Sequence, residues 1–300
     1  LISFEKYFKI APISGKKGCK NMDKELQKKY VDLKDYLQCL GSVAVAFSSG
    51  VDSTFLLKVA HDVLKDKAVA ITLNAAAFPE KETNSAKFFC QKEKIKHIIC
   101  GYNPLDIEGF ANNPPDRCYI CKKVIFSEIK NIAKENNVNY VCEGSNLSDN
   151  GDYRPGLKAI KELDVKSPLQ VAGLYKSEIR ELSKYLGLPT WDKPSKACLA
   201  SRFAYGETIT KEKLVMVDKA EDILIRKGYV QSRVRVHGNM ARIELLPEQI
   251  QDFVTNDGKV VAEQFKEIGF SYVTLDLQGY RTGSMNEVLT ESNYINRIED

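Results

Sequence analysis

Residues 43–53 read Val43-Ala44-Val45-Ala46-Phe47-Ser48-Ser49-Gly50-Val51-Asp52-Ser53. The unbroken apolar run at its start describes a strand buried on both faces, as in a parallel sheet covered by helices on each side. A turn of small residues ends the run, and Phe55, Leu56, Val59, Ala60, Val63 and Leu64 then recur at helical spacing. Strand, Ser/Gly turn and helix together present backbone N–H groups at a helix N-terminus, which is a seat for phosphate oxygens. A Ser or Asp before an amphipathic helix is also an ordinary N-cap. Here the turn follows the first core strand, and ligands of doubly wound sheets collect at the strands' carboxyl ends, which favours phosphate.

Working outward, residues 23–40 place Leu26, Tyr30, Leu33 and Leu37 on one helical face. Downstream, apolar runs at 68–73, 97–100 and 140–144 alternate with helical patterns at 81–93, 122–136 and 176–186. Alternating strands and helices predict a doubly wound parallel sheet. Beyond Pro194 the order changes to a helix at 210–227, strands at 233–237 and 241–246, a helix from Pro247 to about 268, and a strand at 272–277. That order predicts a smaller α+β domain of ferredoxin-like kind. The reading divides the chain into 22–200 and 201–300, and sets 1–21 apart as a leader because Met22-Asp23-Lys24 reads as a natural start.

Hydrophobic residues make up 43% of the 300 residues and charged residues 28%, which excludes a disordered chain or a disulfide-stapled miniprotein. No segment approaches the roughly 20 apolar residues that span a bilayer. The net charge of +4, from 44 basic and 40 acidic residues, is too small to argue for nucleic acid as a partner. The eight cysteines follow no export signal, so reduced thiols and a cytoplasmic location are expected.

Cys118-Tyr119-Ile120-Cys121 has the spacing of a redox dithiol, half of a zinc site, or two ligands of an iron–sulfur cluster, at a helix start that favours thiolate. A lone cysteine such as Cys198 is more often a buried small hydrophobe, but Ser201 and Arg202 beside it suit an anion. Arg233 and Arg235 alternate along one strand and so share a face, which suits one anion as well as it suits a solvated surface. Cys19, Cys39, Cys90, Cys100 and Cys142 read as structural or incidental.

The turn at 48–53 resembles the SGGxDS loop of the PP-loop ATP pyrophosphatases, with Ser49 where the first glycine stands. Two further segments, Asn150-Gly151-Asp152-Tyr153-Arg154-Pro155-Gly156-Leu157-Lys158-Ala159 and Ala200-Ser201-Arg202-Phe203-Ala204-Tyr205-Gly206, make the ordered set similar to the LarE family. Arg233-Val234-Arg235-Val236-His237, Ala241-Arg242-Ile243-Glu244 and Tyr272-Val273-Thr274-Leu275-Asp276-Leu277 carry the likeness through the C-terminal part. Members insert sulfur into pyridinium-3,5-biscarboxylic acid mononucleotide, a step towards the nickel-pincer cofactor of lactate racemase. The resemblance implies ATP and Mg²⁺, adenylation of a substrate carboxylate, a sulfide source and a homo-oligomer, with neither nucleic acid nor membrane as partner.

By the same resemblance Ser48, Ser49, Gly50, Asp52, Ser53, Gly144, Asp149, Asp152 and Arg154 bind ATP. Lys122 and Arg154, with Asp52 and Cys198, serve the chemistry. Ser201, Arg202, Arg233 and Arg235 cradle the substrate phosphate, and Glu221, Glu244 and Asp252 bind a divalent metal. Cys198 stands one residue beyond the sacrificial cysteine position of one branch, which falls at Ala197. Cys118, Cys121 and Cys198 therefore imply the three-cysteine branch, whose cysteines hold a [4Fe-4S] cluster. Rival readings are a tRNA-thiolating PP-loop enzyme, an amidotransferase-type synthetase, and an ATP-binding module with structural zinc.

Overall fold

A computed structural model of the chain describes residues 22–75, 80–149, 155–194, 197–281 and 283–287. Helix α1 (Lys24–Leu40) leads into β1 (Val43–Ala46), the phosphate-loop turn and α2 (Val51–Leu64). Then follow β2 (Ala68–Ala75), α3 (Glu80–Glu93), β3 (Lys96–Tyr102), α4 (Arg117–Glu135) and β4 (Tyr140–Cys142). Short helices α5 (Gly156–Glu162) and α6 (Pro168–Val171) precede α7 (Lys176–Tyr185). The four strands lie in the order β3-β2-β1-β4, all parallel, with Val45 in register with Ala70 on one side and Cys142 on the other.

The apolar run of β1 does what its composition requires. Val43 and Val45 join a core with Leu33 and Leu37 of α1, Leu56 of α2 and Leu182 of α7. Ala44, pointing the other way, packs with Phe126, Ile129 and Ile132 of α4. With helices on both faces, the crevice between β1 and β4 is the point where the strand order changes direction, and the turn at 48–50 opens into it.

The second domain comprises α8 (Lys211–Arg226), β5 (Arg233–His237), β6 (Met240–Glu244), α9 (Ile250–Asp252), α10 (Gly258–Ile268) and β7 (Tyr272–Leu275). A π-helical turn, Phe253–Asp257, joins α9 to α10, so the helix expected from Pro247 to 268 is not one continuous α-helix. The sheet order is β5-β6-β7, with β5 and β6 antiparallel and β6 and β7 parallel. The element order matches the ferredoxin-like expectation, but β7 pairs directly with β6, which makes a three-stranded mixed sheet. Alternation along the strands puts Val234, Val236, Ala241 and Ile243 against α8 and α10, and turns Arg233, Arg235, Arg242 and Glu244 to the opposite face. Leu199, Ala200, Phe203 and Phe110 join this second core, so the linker is packed rather than loose. No helix among the described residues is long and apolar enough to cross a membrane.

Candidate active site

At the phosphate loop, Ser49 adopts φ +53°, the left-handed region where a glycine costs least. Two contacts hold it there: its Oγ donates to Glu82 Oε2 at 3.0 Å, and Lys193 Nζ donates to its carbonyl at 3.0 Å. Lys193 also pairs with Glu82 at 2.8 Å. Ser48 Oγ and Ser53 Oγ lie 3.1 Å apart across the turn, while Gly50 starts α2 without a side-chain cap. The first N–H groups of α2 are therefore left for a ligand. Gly144, just past β4, is needed for a close approach: a Cβ there would lie 3.2 Å from Ser53 N and 3.1 Å from Asp52 Cβ.

Asp52 pairs with Lys176, the first residue of α7, and accepts from Asn146 Nδ2 at 3.3 Å. The Asn146 backbone N–H donates to Asp149 Oδ2 at 2.9 Å. Two carboxylates thus flank Asn146 beside the loop, a donor set that suits Mg²⁺ held jointly by one or two carboxylates and substrate phosphates. Asp152 and Arg154 lie outside the described residues. Lys122 runs across Gly156 at the start of α5, where a Cβ would lie 2.6 Å from Lys122 Cδ.

A cleft of about 370 Å³ opens on the polar face of the second sheet. Arg117, Arg202, Arg233, Arg235 and Arg281 line it and, among the described residues, no carboxylate residue does, which suits it to anions. Arg233 sits over the Tyr280 ring, its guanidinium 5.2 Å from the ring centre. Burial, and then the positive charges of Arg202 and Arg235, hold its pKa below the usual arginine range, a situation that a bound anion relieves.

Arg202 and Arg235 each hold a carboxylate. Arg202 grips Glu221 bidentately at 2.7 and 3.0 Å and also reaches Ser201 Oγ at 2.9 Å. Arg235 holds Glu244 at 2.9 Å and the Ser201 carbonyl at 3.0 Å. The expected divalent-metal residues are accordingly not brought together. Glu221 clamps Arg202, Glu244 serves Arg235, Arg242 and Ser284, and Asp252 accepts from Asn256.

The CxxC pair occupies the first turns of α4, close to the linker that carries Cys198. Cys118 is exposed, with Arg117 Nη2 3.8 Å from its sulfur. Cys121 turns inward to Tyr102 Oη at 3.2 Å, and burial pushes its thiol up to about 11 against the opposing pull of that hydrogen bond. Desolvation also raises the Cys198 thiol, while Arg117 and Arg202 act against it.

These neighbours correct one expectation. All three cysteines are described, yet among the described residues no three His, Cys, Asp or Glu side chains form a group able to hold a metal ion. The [4Fe-4S] cluster, and with it the placing of the chain on the three-cysteine cluster branch, is overturned. The sulfurs answer to different partners: Cys118 to Arg117, Cys121 to Tyr102 and the second core, and Cys198 to the linker.

Sequence reasoning missed Lys176, Lys193, Glu82 and Asn146 at the phosphate loop, and gave no role to Arg117, Tyr280 or Arg281. Lys176 reaches Asp52 from 124 residues away and Lys193 reaches Ser49 from 144, so no local pattern marks them. The available signal was their place in the segments entering the switch-point crevice.

No protein-family model matches the chain. The chain is 45% identical over 268 residues to an uncharacterized protein of Synechocystis, covering 89% of this chain and 100% of that one. It is 39% identical over 259 residues to the pyridinium-3,5-bisthiocarboxylic acid mononucleotide synthase of Lactiplantibacillus plantarum, covering 85% and 93%. A subunit of the glutamine-hydrolysing GMP synthase of Thermoplasma volcanium is 26% identical over 200 residues, 62% of this chain and 64% of that one. With the SGGxDS-like turn seated after β1 of a parallel sheet, and likeness to the synthase running through both domains, the chain belongs to the LarE family of ATP-using PP-loop proteins.

Proposed function

We propose that the protein is an ATP-dependent sulfurtransferase acting on pyridinium-3,5-biscarboxylic acid mononucleotide. The carrying observation is the arginine-lined cleft, with no carboxylate residue in its lining among the described residues, beside the thiols of Cys118 and Cys198. A carboxylate is a poor acyl donor because oxide leaves badly. Attack of a substrate carboxylate oxygen on the ATP α-phosphorus expels pyrophosphate and gives a mixed anhydride. A sulfur nucleophile then displaces AMP, leaving a thiocarboxylate. The N–H groups at the start of α2, with Ser48 and Ser53, seat the phosphates, and Lys176 and Lys193 supply cations at the same mouth.

Mg²⁺ supplies neutralisation of the triphosphate charge, and Asp52 and Asp149 would hold it. Asp152 and Arg154 belong to the same reading as nucleotide contacts. Lys122 is assigned to the activated carboxylate, and Cys198, set in the linker, stands beside the place where sulfide from solution attacks it and AMP leaves. Ser201, Arg233 and Arg235 receive the substrate phosphate. Arg202, bound to Glu221, holds that cradle in place.

Substrate-dependent exchange of labelled pyrophosphate into ATP tests the adenylation half without any sulfur source. Exchange should require the dicarboxylate mononucleotide and Mg²⁺. Exchange that ignores the mononucleotide would sink the reading.

A further inference from the structure

Arg117 is 5% exposed, and its Nη1 donates to Asn113 Oδ1 and to the Ala200 carbonyl at 3.0 Å. Both acceptors are neutral. Among the described residues no carboxylate pairs with this guanidinium, and its Nη2 meets only the Cys118 sulfur, at 3.8 Å. A buried cation without a counter-charge is strongly unfavourable unless something anionic completes it. Arg202 has Glu221 and Arg235 has Glu244, so Arg117 differs from them in kind although it lines the same cleft.

Its position is also fixed. Asn113, fully buried at φ +52°, donates to the Ala204 carbonyl at 2.6 Å and to the Phe203 carbonyl at 3.2 Å. Gly206 N in turn donates to the Asn113 carbonyl at 2.9 Å. The start of α4 is thereby tied to the linker, and Arg117 Nη2 is left at the Cys118 end of the cleft. A planar fork so held is suited to bidentate contact with a carboxylate.

We propose that Arg117 forms a second anion subsite, distinct from the phosphate cradle, which takes a ring carboxylate of the substrate and makes the enzyme select dicarboxylate over monocarboxylate mononucleotides. The inference rests on the proposed substrate class. The phosphate anchors one end of the ligand at Ser201, Arg233 and Arg235. The carboxylate not undergoing adenylation is gripped by Arg117, and this fixes the ring so that its partner carboxylate meets the nucleotide and the sulfur.

The test is equilibrium binding by the full chain, without ATP, of pyridinium-3,5-biscarboxylic acid mononucleotide and of nicotinic acid mononucleotide, which keeps ring, ribose and phosphate but has one carboxylate. The wild type should prefer the dicarboxylate at least tenfold. In Arg117→Gln that preference should vanish, with nicotinic acid mononucleotide bound as in the wild type, while Arg117→Lys keeps part of it. Equal affinities in the wild type overturn the proposal whatever the variants do. So does a parallel loss of both ligands in a folded Arg117→Gln, which marks a structural role only. If Arg117→Gln does not fold, the wild-type preference and the Arg117→Lys measurement decide. A wild type that binds the monocarboxylate alone refutes the subsite while leaving the phosphate cradle intact. One that binds neither refutes the substrate class as well.

Discussion

Glu221→Ala separates two roles for one carboxylate, clamp or metal ligand. In the structure Glu221 accepts from Arg202 Nε at 2.7 Å and Nη2 at 3.0 Å, and from the Val234 backbone N–H at 3.1 Å. Arg202 is 1% exposed, so removing its partner leaves a buried guanidinium facing only carbonyls and a hydroxyl. Breaking a buried pair from one side costs about 3–5 kcal/mol. For a domain of about 100 residues about 4–8 °C is lost per kcal/mol, so the transition of the second domain should fall by about 12–40 °C. Because the pair is buried, added salt should change the loss little. Replacing both partners, Arg202→Met with Glu221→Leu, should recover most of it, and the double-mutant cycle measures the coupling. The assay is urea denaturation of wild type, both single variants and the double variant, with and without Mn²⁺. A loss below about 1 kcal/mol, or a Mn²⁺ stabilisation of wild type that Glu221→Ala abolishes, would refute the clamp and restore the metal role.

Gly144→Ala should weaken ATP binding several-fold while leaving the second domain's melting unchanged, since the added Cβ meets backbone and Cβ atoms at the start of α2 at 3.1–3.2 Å; calorimetric titration with ATP checks it, and unchanged affinity would contradict the close approach. Lys176→Ala should lower ATP affinity at least tenfold, because it removes a cation at the phosphate seat and leaves Asp52 uncompensated; unaltered binding would show the pair to be structural. Stability should fall as pH rises above about 9. Burial raises Cys121 to about 11 and Cys90 to about 12, so the unfolded chain loses thiol protons before the folded one does. The Cys121 contribution alone is about 1.4 kcal/mol per pH unit between those values, and flat denaturation midpoints from pH 8 to 10 would contradict it. Filter binding with tRNA at moderate salt should show only weak, steeply salt-dependent retention, and tight retention would favour RNA as substrate.

Much of the fold could be read because its signals are local. The run from Val43 to Phe47 and the helical spacing after Gly50 each need only neighbouring residues to fix burial. The turn itself carried more, since the position that replaces a glycine, Ser49, is the one found at positive φ. What escaped depends on partners distant in the chain. An arginine beside a serine reads the same whether it awaits an anion or grips Glu221, so sequence alone casts Arg202 as a ligand residue. CxxC spacing sets two sulfurs a helical turn apart but does not say where each points. Cys121 meets Tyr102 while Cys118 is exposed, and among the described residues they form no metal-holding group with Cys198. In the second sheet, alternation gave the arginine face correctly, but pairing of β7 with β6 is a long-range choice that hairpin and helix patterns do not contain.

The most direct measurement is mass spectrometry of the mononucleotide after anaerobic incubation of the full chain with ATP, Mg²⁺, pyridinium-3,5-biscarboxylic acid mononucleotide and sulfide, with AMP and pyrophosphate counted in parallel. The account predicts a product in which carboxylate oxygen is replaced by sulfur, with one AMP and one pyrophosphate released per sulfur introduced. AMP and pyrophosphate released without sulfur in the product, or no nucleotide turnover at all, would contradict it.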